Sequence, residues 1–287
     1  MTLPGAASVS LAPVLGGPVR SVSITASLSR ALYLSTGDPD VPALGLVAAD
    51  AVRVPCALVL GPGVAVPRAA VGSAARIGEG QVAVGGFTAR VTRWWRPARP
   101  QVHLLQADAR QRAIRAFTEA AGGAPLLVDA AGSGPTASAA VGFSEGLIGS
   151  VATADLAVAI RALLGLGDGL TPLGDDILAG ALVTLVGAGH PAGRVVGSMV
   201  SEELATRPGA TTVVSAALLL HATRGECIPE LAAVLTDPVD RLDVAVAALL
   251  RVGHSSGGGL LHGVRTGLKV LTEPTSALHP ITEGNAK

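Results

Sequence analysis

Residues 81–100 read Gln81-Val82-Ala83-Val84-Gly85-Gly86-Phe87-Thr88-Ala89-Arg90-Val91-Thr92-Arg93-Trp94-Trp95-Arg96-Pro97-Ala98-Arg99-Pro100, and the character of the chain changes across them. Gln81 to Val84 and Phe87 to Thr92 have strand composition and flank Gly85-Gly86, which predicts a hairpin. Pro97 and Pro100 lack an N–H for a sheet ladder and mark the exit. Upstream, Val22, Ile24, Ala26 and Leu28 alternate with Ser21, Ser23, Thr25, Ser27 and Ser29, the period of two of a half-buried strand. Short apolar runs follow at Leu44 to Ala48 and Ala57 to Leu60, bounded by Pro, Gly or Asp. Residues 1–98 are therefore expected to form an antiparallel β domain, a small barrel or sandwich, with one of Trp94 and Trp95 buried in its core.

Beyond Pro100 the spacing becomes helical. Asp108 to Ala121 places Ile114 and Phe117 on one face, with Gly122-Gly123 as a stop. The Gly/Ser/Pro-rich passage from Ala130 to Ser150 predicts a loop or irregular turns, and Thr153 a cap for a helix reaching Leu164. Further helices are expected at Ile177 to Ala188, Ala192 to Ala205, Thr211 to Thr223, Pro229 to Leu235, Val239 to Val252 and Leu260 to Leu271. The fold class is thus α+β, with residues 99–287 a mainly helical domain carrying glycine-rich loops.

Composition narrows the partners. Net charge is zero and 15% of residues are charged, which argues against nucleic acid and anionic membranes. The most apolar runs, Ile177 to Gly189 and Pro208 to His221, are too short to span a bilayer and read as buried helices. Met1 to Pro18 has no signal-peptide pattern, and Cys56 and Cys227 form no C-x-x-C pair, so reduced thiols and a cytoplasmic location are expected. The histidines His103, His190, His221, His262 and His279 lack zinc-site spacing. With 49% apolar residues but only 2% aromatic, the core must be built from small side chains at close approach.

Gly165-Leu166-Gly167-Asp168-Gly169-Leu170-Thr171-Pro172-Leu173-Gly174-Asp175-Asp176 puts four glycines, a Thr-Pro helix start and two adjacent carboxylates between apolar segments. Thr171 is expected as the cap and Pro172 as the first helical residue. Three readings stand side by side: plain capping by Thr171 or Asp175; anion capture by free helix-start amides; and Asp175 with Asp176 as ligands of a hard cation or acceptors of amide or ureido N–H groups. The last is favoured, because no Lys or Arg lies inside the motif and it lacks a P-loop ending.

A second loop, Gly253-His254-Ser255-Ser256-Gly257-Gly258-Gly259, again pairs a helix start with reactive side chains. Ser255 and Ser256 either cap or react, and His254 can titrate near neutrality. A third element, Arg207-Pro208-Gly209-Ala210-Thr211-Thr212 with Ser215, offers hydroxyls and a guanidinium able to hold a carboxylate or phosphate, or else to sit at a helix C-terminus. Converging openings of this kind suit a small polar anion; the absence of a Gly-x-Ser-x-Gly elbow argues against a Ser/His/Asp hydrolase.

The stretch from Gly167 through Gly180, Gly-Asp-Gly-Leu-Thr-Pro-Leu-Gly-Asp-Asp-Ile-Leu-Ala-Gly, resembles the G-x-G-L-T-P-S-G-D-D-x-L-x-G signature of the AllH-type oxamate carbamoyltransferase subunit family. Thr211-Thr212 with Ser215, and Gly253 to Gly257, resemble its later blocks, as does the order of a β-rich part with Ala31 to Leu34 (Ala-x-Tyr-Leu) and then helices. Leu173 departs from a commonly small polar position, and Gly258-Gly259 from a polar or acidic one. The resemblance implies a cytoplasmic subunit of a carbamoyl-transfer complex of allantoin breakdown, converting oxalurate and phosphate to oxamate and carbamoyl phosphate.

On that reading Asp175 and Asp176 orient carbamoyl N–H groups or hold Mg²⁺, the one metal suggested; His254 moves a proton; and Ser255 or Ser256 steadies the oxyanion. Arg207 pairs with carboxylate or phosphate, and Gly167, Gly169, Thr171, Gly174, Thr211, Thr212, Ser256 and Gly257 shape the binding site. Partner subunits are implied, and homo-oligomerisation is left open. The alternatives are a non-catalytic ligand-binding or assembly subunit and a metal-dependent amide or phosphoester hydrolase. All of these require the two glycine loops to be neighbours in space.

Overall fold

Alternation in the first third of the chain becomes a closed barrel. The computed structural model describes residues 2–120, 135–148 and 153–273. Its strands are β1 (Thr2–Ser8), β2 (Arg20–Ser27), β3 (Ala31–Ser35), β4 (Ala43–Val47), β5 (Ala57–Leu60), β6 (Ala74–Gly78), β7 (Gln81–Val84) and β8 (Phe87–Trp95). They close in the order β1-β5-β4-β3-β2-β6-β7-β8. In β2, Val22 and Ile24 point inward and Ser21 and Ser23 outward, as the alternation predicts. The expected β7–β8 hairpin pairs Val84 with Phe87 across Gly85-Gly86.

The sheet is not wholly antiparallel: β1 lies parallel to β8, and β4 parallel to β5. Closure explains the first pairing, since the initial strand covers the edge that β8 would otherwise expose. Residues 48–56 reverse the chain before β5 and so permit the second. Strand β1 escapes sequence patterning because Pro4 and Gly5 lie within it. Neither tryptophan enters the core. Trp94 is 46% exposed, and Trp95 is half-buried, donates from Nε1 to Ala6 O at 3.2 Å and carries the Arg53 guanidinium 5.0 Å from its ring centre. Side chains such as Leu32, Leu58 and Val82 already fill the interior.

After the one-turn α1 (Ala12–Leu15), the helices are α2 (Leu104–Ala120), α3 (Pro135–Ile148), α4 (Thr153–Leu163), α5 (Leu173–Gly187), α6 (Pro191–Thr206), α7 (Val213–Thr223), α8 (Pro229–Thr236), α9 (Leu242–Leu250) and α10 (Ser256–Thr272). Helix α3 corrects the expected loop: despite its Gly, Ser and Pro, it buries Ala140 and Phe143, so tertiary packing overrides propensity. The Gly122-Gly123 stop and residues 130–134 and 149–150 lie outside the described residues. The single helix expected over Val239 to Val252 divides into a 3₁₀ turn (Val239–Arg241) and α9. Among the described residues, no helix is long and apolar enough to cross a membrane.

The helical half is organised by the crossing of α5 and α10, where the backbones nearly touch. A Cβ on Gly180 would sit 2.1 Å from Leu260 O, and one on Gly263 2.1 Å from Ile177 O. Gly259, Gly263 and Gly267 recur every four residues, so they form one smooth stripe on α10. Gly257, Gly258 and Gly259 are accordingly the first turn of a helix, whereas the sequence suggests a loop. Each costs about 1 kcal/mol of helix propensity relative to Ala, and close approach offsets that cost. Helix α7 packs on β3 and β4, which brings the barrel against the helices.

Candidate functional site

A cavity of about 930 Å³ lies between barrel and helices, and both glycine loops border it. The loops are directly linked: Thr171 Oγ1 and Ser256 Oγ are 2.7 Å apart. From the first loop Gly167, Asp168, Gly169, Thr171 and Asp176 line the space; from the second, Gly253, His254, Ser255 and Ser256 do. Gly174, Asp175, Arg207, Thr211, Thr212 and Gly257 are not among its lining residues.

Asp175 is 1% exposed and faces the protein interior. Its Oδ1 accepts from Gly165 N at 2.8 Å, and its Oδ2 accepts from Ser215 Oγ at 2.6 Å and from Thr211 Oγ1. Burial raises its pKa against the opposing pull of those three donors. Thr212 caps α7 by accepting from Ser215 N at 3.0 Å, and its hydroxyl donates to Leu170 O at 2.6 Å. The third sequence element therefore clamps the first loop from behind. Gly165 is required there: its φ is +75°, and a Cβ would meet Ala210 O at 2.0 Å.

Asp176, one residue on, faces the cavity while remaining only 6% exposed. Its Oδ2 has no hydrogen-bond partner. Burial drives its pKa up to about 8; the Ser256 and Thr171 hydroxyls oppose this and the neighbouring Asp175 adds to it. A cation shared by both carboxylates, expected from the sequence, would have to displace the donors that fill Asp175. Among the described residues, no cluster of three or more His, Cys, Asp or Glu could hold a metal ion.

Both helix openings have occupied early amides, and they differ in what flanks them. Helix α5 is capped by Pro172 without a side-chain bond, so Thr171 is not the cap that the sequence predicts and is free to meet Ser256. Its early amides are occupied: Gly174 N donates to Leu166 O at 2.9 Å, and Asp175 N and Asp176 N to Pro172 O at 3.0 and 3.1 Å. This disfavours anion capture at α5. At α10, Gly257 N donates to Val252 O and Gly259 N to Ser255 O, both at 3.0 Å, and Ser255 supplies no side-chain cap. Exposed Arg251 and His254 flank this opening, whose dipole adds positive potential. Arg207 instead caps the C-terminus of α6 and pairs with Glu203 at 3.2 Å, beside Arg161 at 2.5 Å from the same carboxylate. Gly257 serves packing, since a Cβ there would lie 2.1 Å from Leu249 O.

Several lining residues are not legible as site residues in the sequence. Arg251 stands two residues before the second loop, and Asp168 lies inside the first, so position is the signal that could have found them. The barrel wall, including Tyr33 and the Arg30–Asp50 ion pair (2.5 Å), gives no such signal. Glu226 also reaches the cavity and fastens it: Oε1 accepts from Arg99 Nε and Nη2 at 3.1 and 2.5 Å, and Oε2 lies 2.6 Å from His221 Nδ1. Burial works to raise the Glu226 pKa, but the bonds from His221 and Arg99 prevail and bring it to about 2. Cys227 N donates to Ala98 O at 3.0 Å, a second tie between barrel exit and helices.

The model of the family described as oxamate carbamoyltransferase subunit AllH matches residues 163–268. The matched segment runs from the last residue of α4 into α10, so it contains both glycine loops, the Asp175 clamp and the α5–α10 crossing, while the barrel lies outside it. No curated protein and no solved structure matches the chain.

Proposed function

We propose that the chain binds a small ureido carboxylate, with oxalurate as the leading candidate, as a subunit of a carbamoyltransferase complex that uses phosphate as acceptor. The observation that carries this reading is the unpartnered Asp176 Oδ2, nearly buried and facing the cavity beside the Thr171–Ser256 hydroxyl pair. A buried carboxyl oxygen without a partner is costly, and a ligand N–H or C=O supplies the missing bond. The carbamoyl end sits at Asp176, and the anionic end takes the positive opening of α10 with Arg251. The AllH family description supports the choice of ureido chemistry and of partner subunits.

In the transfer, a phosphate oxygen forms a bond to the carbamoyl carbon. The bond from that carbon to the oxamate nitrogen breaks, and the electron pair stays on nitrogen. With its pKa near 8, Asp176 is protonated at neutral pH and donates to this nitrogen. The proton from phosphate returns to Asp176 through His254. Ser256 and the α10 opening steady the developing oxyanion. Asp175, Thr211, Thr212 and the Gly165 turn hold the loop that carries Asp176.

A second reading, a ligand-binding subunit without its own chemistry, is favoured by the largely apolar walls beyond Asp176 and His254. Phosphate-dependent formation of carbamoyl phosphate by the assembled complex separates the two. Asp176→Asn is expected to lower turnover at least about 100-fold with no loss of unfolding temperature. Turnover that survives the substitution overturns the catalytic reading, and calorimetry with oxalurate on the full chain then reports whether binding remains.

A further inference from the structure

A small ureido carboxylate leaves most of the cavity unfilled. A molecule of about nine non-hydrogen atoms occupies on the order of 100 Å³, the liquid volume of three or four waters, against the 930 Å³ present. The remaining wall is largely apolar and comes from both halves of the protein: Tyr33 and Val54 from the barrel, Val183, Leu218, Ile228 and Leu231 from the helical half. Water in such a space has few polar partners, whereas cavities of roughly 300–1,000 Å³ lined in this way suit ligands with substantial apolar bodies. Of the polar lining groups, Arg30 and Asp50 pair with each other and Glu226 is held by Arg99 and His221, while Asp168, Asp176, Arg251, His254, Ser255 and Ser256 gather at the two loops.

This division of the lining points to one ligand shape. Resting on the ureido-carboxylate reading above, we infer that the preferred ligand is a ureido carboxylate with a large aliphatic or aromatic substituent, such as an N-carbamoyl derivative of a bulky apolar amino acid. Its polar end meets Asp176 and the α10 opening, and its substituent fills the space between β3 and α7. Burial of that substituent supplies the binding free energy that a minimal head group cannot.

Calorimetric titration of the full chain tests this with oxalurate, N-carbamoyl-phenylalanine and phenylalanine. N-carbamoyl-phenylalanine is expected to bind at least about tenfold tighter than oxalurate. Ala179→Phe from α5, and separately Val52→Phe from the barrel side, fill the apolar space from opposite walls and are expected to cut that preference at least about tenfold; having two variants covers the failure of either to fold. Oxalurate binding as tightly as the bulky compound, or a preference untouched by both fillings, overturns the inference while leaving the ureido reading standing. Phenylalanine binding as tightly as its carbamoyl derivative overturns the ureido reading and with it this ligand class. Failure of all three to bind overturns both.

Discussion

Thr171 Oγ1 and Ser256 Oγ, 85 positions apart in the chain, share a hydrogen bond of 2.7 Å. Through it the start of α5 and the start of α10 become one site, and Asp176 lies beside the join. Thr171→Val and Ser256→Ala should each cost about 0.5–1.5 kcal/mol, and the double variant less than the sum. A denaturant-unfolding cycle that shows full additivity would remove this bond from the account.

The adjacent carboxylates should behave oppositely. Asp175→Ala strands the Gly165, Thr211 and Ser215 donors in the interior and is expected to cost about 3 kcal/mol or more. Asp176→Asn strands nothing and, because the amide does not lose a proton from the buried site, should raise stability at pH 7. Chemical unfolding of the two variants decides the matter, and equal losses would contradict the assignment of one to the scaffold and the other to the cavity.

The raised pKa of Asp176 sets a pH dependence. Unfolded, the group titrates near 3.8; folded, near 8. Between those values the native state holds the extra proton, so stability is highest below the unfolded value and declines as pH rises through the folded one. The decline attributable to this group is on the order of a few kcal/mol. Asp176→Asn should flatten the profile of unfolding free energy between pH 4 and pH 8, and a profile unchanged by the substitution would refute the pKa assignment.

Glu226 has the reverse sign. Its pKa falls from 4.5 unfolded to about 2 folded, so its contribution is present above 4.5 and is lost as pH drops toward 2. Glu226→Ala removes the carboxylate that holds Arg99 and buried His221 and is expected to cost about 2–3 kcal/mol at pH 7. Its stability should converge on that of the parent chain near pH 2, as read by thermal melts across the acid range.

The α5–α10 crossing predicts a sharp contrast among glycines. Gly263→Ala forces a methyl group within 2.1 Å of Ile177 O and should destabilise by about 3 kcal/mol, near the upper end for overpacking. Gly142→Ala in α3 meets nothing within 4 Å and should stabilise by about 0.5–1 kcal/mol through propensity alone. Melting temperatures shifting in the same direction would contradict the close approach.

Much of the architecture was legible in the sequence where a pattern repeats locally. The Val22 and Ile24 alternation, the turn at Gly85-Gly86 and the helical spacing after Pro100 each report a backbone geometry within a few residues. Strand β1 and helix α3 were not legible, because neighbours distant in sequence stabilise them against their Pro and Gly content. The same limit applied to the site. Both loops announced themselves through glycines beside reactive side chains, yet Arg207 turned out to be paired with Glu203 away from the cavity.

What the sequence determined by itself was the chemistry available: two carboxylates at one helix start, a histidine and serines at another, and glycines to let backbones meet. Which carboxylate serves the cavity was decided only by tertiary structure. Successive residues on a helix point about 100° apart, so Asp175 and Asp176 necessarily face different surroundings, and the packing of α7 and α10 around α5 fixes which one is satisfied and which is left open.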